Sequence, residues 1–120
     1  MSASSTVWQG AGRRIHMQEV GTRDGLQMEQ AFVPTDDKIA LVNALSNAGL
    51  SKIEVTSFTS PTAIPALKDA EMVMREITRR PGTVYSALVP NLRGAERAVL
   101  AEAGLSHEQI ALLRSKGVIQ

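Results

Sequence analysis

The chain has 120 residues, 43% of them hydrophobic, which is the size and apolar content of a single domain with its own core. Its 13 basic and 12 acidic side chains leave a formal net charge of +1, so no electrostatic footprint for nucleic acid or an acidic membrane surface is expected. The absence of cysteine excludes disulfides, thiolate metal ligands and a cysteine nucleophile, and it fits a reducing compartment, with the cytoplasm as the default.

Residues 1–14 hold no apolar run of signal-peptide length and are expected to form a loose N-terminal arm. Nowhere do 18 apolar residues follow one another, so no membrane span is expected. From Ile15 onward, short strand-like runs alternate with stretches of helical spacing, the pattern of βα units on a parallel sheet. The first strand is expected over residues 15–20, ended by Gly21, and residues 22–33 are polar and glycine-interrupted enough to be a loop. A helix should follow Pro34, with Thr35 as cap, Asp36 and Asp37 against the positive end of its dipole, and Leu41, Val42, Leu45 and Ala48 facing inward. Gly49 suits its C-terminal cap.

The second strand is expected over residues 52–58, with a loop over 59–65. Leu67, Ala70, Val73, Met74 and Ile77 then recur at helical intervals until Pro81-Gly82 stops the helix. The third strand is expected over residues 83–89, and Asn91 can cap a helix whose inward positions are Leu92, Ala95 and Val99. Three right-handed βα crossovers in series make a curved sheet with helices on one side or the start of a barrel. The expected fold is therefore α/β, with a barrel-like domain over residues 15–104. After Gly104 the rhythm breaks, and residues 105–120 read as a helical tail in which Ser106 and Gln109 fit a capping box, Ile110 and Leu113 share a face, and Gly117 suits the end.

The informative stretch is Glu19-Val20-Gly21-Thr22-Arg23-Asp24-Gly25-Leu26-Gln27, which sets an arginine, a carboxylate and an amide just past the end of a buried strand. Ligands bind at that end of parallel α/β sheets. Asp24 suits a hard cation such as Mg²⁺ or Mn²⁺, Arg23 could stabilise a developing enolate oxygen, and Gly25 would let the backbone run close to a ligand. The residues alone leave a second reading open, in which Arg23 and Asp24 merely solvate a turn. Glu54 lies inside an apolar strand, where a charge is costly unless a cation or strong donor faces it, although a simple pairing with a lysine would also satisfy it. Ser57 and Asn91 sit at later strand ends, where ligand contact and ordinary turn capping are both open.

Together with Lys52-Ile53-Glu54-Val55-Thr56-Ser57-Phe58-Thr59-Ser60-Pro61 and Val89-Pro90-Asn91-Leu92-Arg93-Gly94, the stretch resembles the hydroxymethylglutaryl-CoA lyase family over residues 15–104. Related synthases tend to carry Glu where this chain has Leu26, so the resemblance leans toward the lyase branch. It implies the opening of a TIM barrel, about three βα units of it. It also implies a divalent cation, Mg²⁺ or Mn²⁺, and an acyl-CoA substrate, with cleavage of 3-hydroxy-3-methylglutaryl-CoA to acetoacetate and acetyl-CoA. By the same resemblance Asp24 is a metal ligand, Arg23 supports the enolate or thioester oxygen, and Gln27, Glu54 and Ser57 belong to the catalytic and substrate side.

The family's His-x-His pair and its lid cysteine have no counterpart among these residues. Only His16 and His107 are available, and His16, eight residues before Asp24 along an extended strand, is expected to lie roughly 20 Å or more away. A closed barrel takes ~250 residues. Weak cation binding, absent or slight activity in isolation, and self-association through exposed sheet edges are the corresponding expectations. Residues 104–120 resemble the C-terminal end of family III CoA-transferases, which suggests two fused reading frames. A related aldolase or acyl-CoA synthase segment and a non-catalytic interaction module are the competing readings.

Overall fold

A computed structural model describes Gly12, residues 14–104 and residues 107–117. The elements follow in order: strand β1 (Gln18–Glu19), a π-helical turn (Gly21–Gly25), helix α1 (Thr35–Asn47), strand β2 (Lys52–Ser57), a short 3₁₀ turn (Pro65–Leu67), helix α2 (Ala70–Glu76), strand β3 (Val84–Leu88), helix α3 (Leu92–Glu102) and helix α4 (His107–Ser115). The strands form one parallel sheet in the order β1-β2-β3, and a register shift interrupts the β2–β3 ladder between Glu54 and Thr56. The α/β architecture of three successive βα units is as the alternating pattern implies.

Strand β2 is the centre of the molecule. Ile53 and Val55 are buried in a core with Val42 from α1, Ala70, Val73 and Met74 from α2, Ile77 just beyond it, Phe58, and Ala101 from α3. Each fully buried aliphatic side chain of this kind contributes ~1.5–3 kcal/mol. Because successive side chains alternate across a strand, Glu54 lies on the opposite face from Ile53 and Val55, away from the helices.

All five apolar positions expected on α2 are buried. The helix itself stops at Glu76, with Ile77 already extended, so Pro81-Gly82 ends the connecting segment and not the helix. In α1 the inward face is rotated from the expected one: Leu41 and Ala48 are exposed, while Lys38, Val42 and Ser46 are buried. The rotation follows from a polar anchor, since Lys38 Nζ donates to Asp69 Oδ1 at 2.7 Å and to the Ala66 carbonyl at 2.6 Å. Thr35 does not cap α1; its hydroxyl donates to Asp69 Oδ2 at 2.7 Å, and Pro34 takes the cap position.

Helix α3 departs most from its apolar pattern. Asn91 caps it as expected, accepting from Gly94 N–H at 2.8 Å, but Leu92 is 88% and Val99 68% exposed. Gly94, Arg97 and Ala101 are buried instead. A Cβ at Gly94 would come 2.7 Å from the Phe58 carbonyl oxygen, so glycine permits the approach. Arg97 Nε then pairs with Glu71 Oε1 of α2 at 2.6 Å. Beyond Gly104, which has φ +87°, α4 packs on α3, and Gly117, φ +71°, follows its last turn. The capping box at Ser106 and the packing of Ile110 lie outside the described residues, as does the side chain of His107.

Candidate functional site

Residues 22–33, expected to be loop throughout, begin with helical backbone. Strand β1 is short, and at its end the Val20 carbonyl accepts from the N–H groups of Arg23, Asp24 and Gly25 at 3.1, 2.7 and 3.4 Å. This tight π-type turn is pinned at both sides. Glu19 Oε1 accepts from Gly21 N–H at 2.8 Å, and the buried Thr22 hydroxyl donates to the Glu54 carbonyl of β2 at 3.1 Å. Thr22 and Glu19 were not singled out from sequence. Nothing in a short polar run past a strand marks which hydroxyl will face the neighbouring strand.

The turn carries Arg23 over the middle of β2. Arg23 Nε donates to Glu54 Oε2 at 3.1 Å, and both side chains are mostly buried, 20% and 16% exposed. Arg23 Nη1 reaches Asp24 Oδ1 at 3.4 Å and Gln27 Oε1 at 3.5 Å. Arg23, Asp24, Gln27 and Glu54 are thus one cluster just past the C-terminal end of β1, set against the middle of β2. Glu54 faces a guanidinium and not a lysine, and that guanidinium supplies the donor its partly buried carboxylate requires. Asp24 points outward, its side chain 59% exposed.

Ser57 is not brought into this hydrogen-bonded group. It is fully buried, and its hydroxyl lies 2.6 Å from Thr59 Oγ1 and accepts from Thr59 N–H at 3.2 Å, a local turn contact. Gly25 has open space where a Cβ would stand, so no protein atom requires glycine there. His16 is exposed with Nδ1 3.2 Å from Ser51 Oγ, at the opposite end of the sheet from the cluster. A cavity of about 410 Å³ adjoins the cluster, shared through Gln27 and bounded by Gln30, Phe32, Ile64 and Lys68. The Lys38 and Lys68 ammonium groups stand 4.2 and 4.7 Å from the Phe32 ring centroid.

A hard divalent cation takes six or more oxygen ligands. Among the described residues no three His, Asp or Glu side chains are grouped so that they could hold one. Asp24 offers an exposed carboxylate, but the neighbouring Glu54 oxygen is bonded to Arg23. These residues alone therefore do not make up a cation site. No helix among the described residues is long and apolar enough to cross a membrane.

A parallel sheet with each strand followed by a helix, and a charged cluster past the C-terminal end of its first strand, defines a segment of a TIM-barrel-type protein. The family model described as HMGL-like matches residues 14–116, and the chain belongs to that family. It is 46% identical over 104 residues to the hydroxymethylglutaryl-CoA lyase YngG of Bacillus subtilis, covering 87% of this chain and 34% of that protein. It is 51% identical over 94 residues to the cytoplasmic 3-hydroxy-3-methylglutaryl-CoA lyase of Mus musculus, covering 78% and 27%. Among solved structures, the B. subtilis HMG-CoA lyase superposes with a TM-score of 0.72 at 50% identity, over 74% of this chain and 30% of that one. An A. baumannii HMG-CoA lyase in complex with coenzyme A and 3-methylmalate superposes with a TM-score of 0.71 at 56% identity, over 73% and 29%. The chain spans about a quarter to a third of the length of the curated relatives it matches.

Proposed function

We propose that this chain carries the arginine side of a hydroxymethylglutaryl-CoA lyase site, the reaction being cleavage of 3-hydroxy-3-methylglutaryl-CoA to acetoacetate and acetyl-CoA. In that reaction a base takes the proton of the tertiary hydroxyl, whose oxygen becomes the ketone of acetoacetate. The carbon–carbon bond breaks, its electron pair moves onto the thioester oxygen, and the resulting enolate is protonated on carbon to give acetyl-CoA. The charge that develops is on the thioester oxygen, and a fixed donor aimed at it lowers the barrier. Arg23 is the residue for that task. The observation that carries the reading is the Arg23 Nε to Glu54 Oε2 bond, which fixes the guanidinium while Nη1 lies 3.4 Å from Asp24 Oδ1 and 3.5 Å from Gln27 Oε1. Glu54 would orient Arg23, and Gln27 would hold the acyl group from the wall it shares with the adjoining cavity. Ser57 would act from beneath the strand end.

Asp24 would give one ligand to Mg²⁺ or Mn²⁺, with the remaining donors supplied from outside the described residues, so the chain alone should bind the cation weakly and turn over slowly or not at all. A cytoplasmic location and a place in acyl-CoA metabolism accompany this reading. A barrel segment over residues 15–104 and a tail over residues 105–120 belong to this reading; the arm expected over residues 1–14 falls almost entirely outside the described residues. The tail is proposed to derive from a CoA-transferase-like frame, which two intact adjacent genes at the locus would contradict. Self-association is proposed through the sheet edges, where Met17 beside β1 and Val84 and Leu88 of β3 are exposed. That surface is also what favours the interaction-module reading.

Calorimetric titration of the purified chain with hydroxymethylglutaryl-CoA in the presence of Mn²⁺ tests the proposal. Binding that weakens about tenfold or more in Arg23→Met, the loss of a charge-assisted hydrogen bond, is the expected result. A folded chain that binds no hydroxymethylglutaryl-CoA, or binds it equally well without Arg23, would sink it.

A further inference from the structure

We propose that the cleft between the loop after β2, the first turn of α3 and helix α4 is an anion site that takes a phosphate group. The cleft has a volume of about 200 Å³, and Arg93, Arg97 and Arg114 line it together with Ser60 and Asn91. Among the described residues no acidic side chain lines it. Two of the three arginines have a carboxylate on one edge: Glu71 Oε1 on Arg97 Nε and Glu96 Oε2 on Arg114 Nη2, each at 2.6 Å. Those pairs leave donors over. Arg97 is 4% exposed, and its Nη2 is buried with no hydrogen-bond partner among the described residues; the same is true of Arg114 Nε.

A charged donor buried without an acceptor is costly enough to require an explanation, and an oxyanion bound in the cleft supplies one. Arg93, exposed at the rim, has no carboxylate partner among the described residues and is available to close over it. The start of α3 adds to the field, because first-turn N–H groups lack intrahelical acceptors and the N-terminal end of the dipole is positive. The chemistry favours phosphate over carboxylate. A planar carboxylate is satisfied by one guanidinium fork, whereas donors arriving from three side chains and a helix end match a tetrahedral group with three or four acceptor oxygens.

The cleft follows the C-terminal ends of β2 and β3, the same end of the sheet as Arg23 and Glu54. A carrier with phosphates at one end and an acyl group at the other could therefore use both. Only this shared use by one carrier rests on the acyl-CoA reading above; the phosphate site does not.

The test is titration of the whole chain with inorganic phosphate at fixed ionic strength, followed by ³¹P NMR and calorimetry. Arg97→Ala would disturb the buried pair with Glu71, so Arg93→Gln and Arg114→Gln carry the test, with circular dichroism as the fold control. Saturable binding, weakened about tenfold by each substitution while the fold is retained, is expected. No saturable binding, or equal affinity in both folded variants, overturns the site. Coenzyme A should displace the phosphate and pantetheine, which lacks phosphates, should not. If coenzyme A fails to displace bound phosphate, the carrier is wrong and the phosphate site stands.

Discussion

Helices α2 and α3 have similar apolar spacing in sequence but different fates in the structure. Every inward position expected on α2 is buried, whereas α3 exposes Leu92 and Val99 and buries Gly94 and Arg97. Their surroundings explain the difference. Helix α2 packs on β2, α1 and α3, so apolar surface surrounds it and the hydrophobic stripe decides its rotation. Helix α3 leans on α2 and α4, and its rotation is set by two specific contacts, Gly94 against the Phe58 carbonyl and Arg97 against Glu71. Periodicity is a sound guide where an element is covered on several sides. It weakens where a few polar contacts fix the element.

The largest expected effect that tests this contrast is Glu71→Ala. It strands Arg97 in the interior and should cost ~3–5 kcal/mol in a urea melt, against a negligible change for an exposed pair such as Arg75–Glu76. Ile53→Ala, in the apolar half of the comparison, should cost ~2–5 kcal/mol by the same measurement. Gly94→Ala pushes a methyl against the Phe58 carbonyl and should cost ~1–3 kcal/mol, so a neutral result would show that α3 is not seated as described. The smallest effect belongs to Leu92→Ser combined with Val99→Ser. Each should change stability by no more than ~0.5 kcal/mol in the same melt, and sedimentation should report self-association unchanged from the parent chain, because the sheet edges are untouched.

Much of the fold was legible because βα alternation leaves a strong trace: Val, Ile and Thr in β2, helical spacing through Ile77, and Gly49 with φ +87° after α1. The shortness of β1 was not legible, since pairing with β2 extends only over Gln18 and Glu19 although residues 15–20 have strand character. The helical turn at Gly21–Gly25 was hidden for a related reason. Its backbone is organised by three N–H groups converging on one carbonyl and by the Thr22 contact to β2, and neither leaves a periodic signal.

At the site, the string from Glu19 to Gln27 picked out Arg23, Asp24 and Gln27, and an isolated charge in an apolar strand picked out Glu54. Their union through the arginine is a tertiary fact that sequence spacing cannot contain. The buried pairs Lys38–Asp69 and Glu71–Arg97 were missed because each charge, taken alone, reads as an ordinary surface residue of an amphipathic helix.

The most direct measurement of the central claim, that Arg23 is locked onto Glu54 at the mouth of the sheet, is the Arg Nε–Hε correlation in ¹H–¹⁵N NMR. The account predicts a distinct Arg23 signal that is protected from solvent exchange, shifts when hydroxymethylglutaryl-CoA is added with a diamagnetic cation, and collapses to the position of exposed arginines in Glu54→Gln. An Arg23 signal already among the exposed arginines, and unmoved by Glu54→Gln, would contradict it.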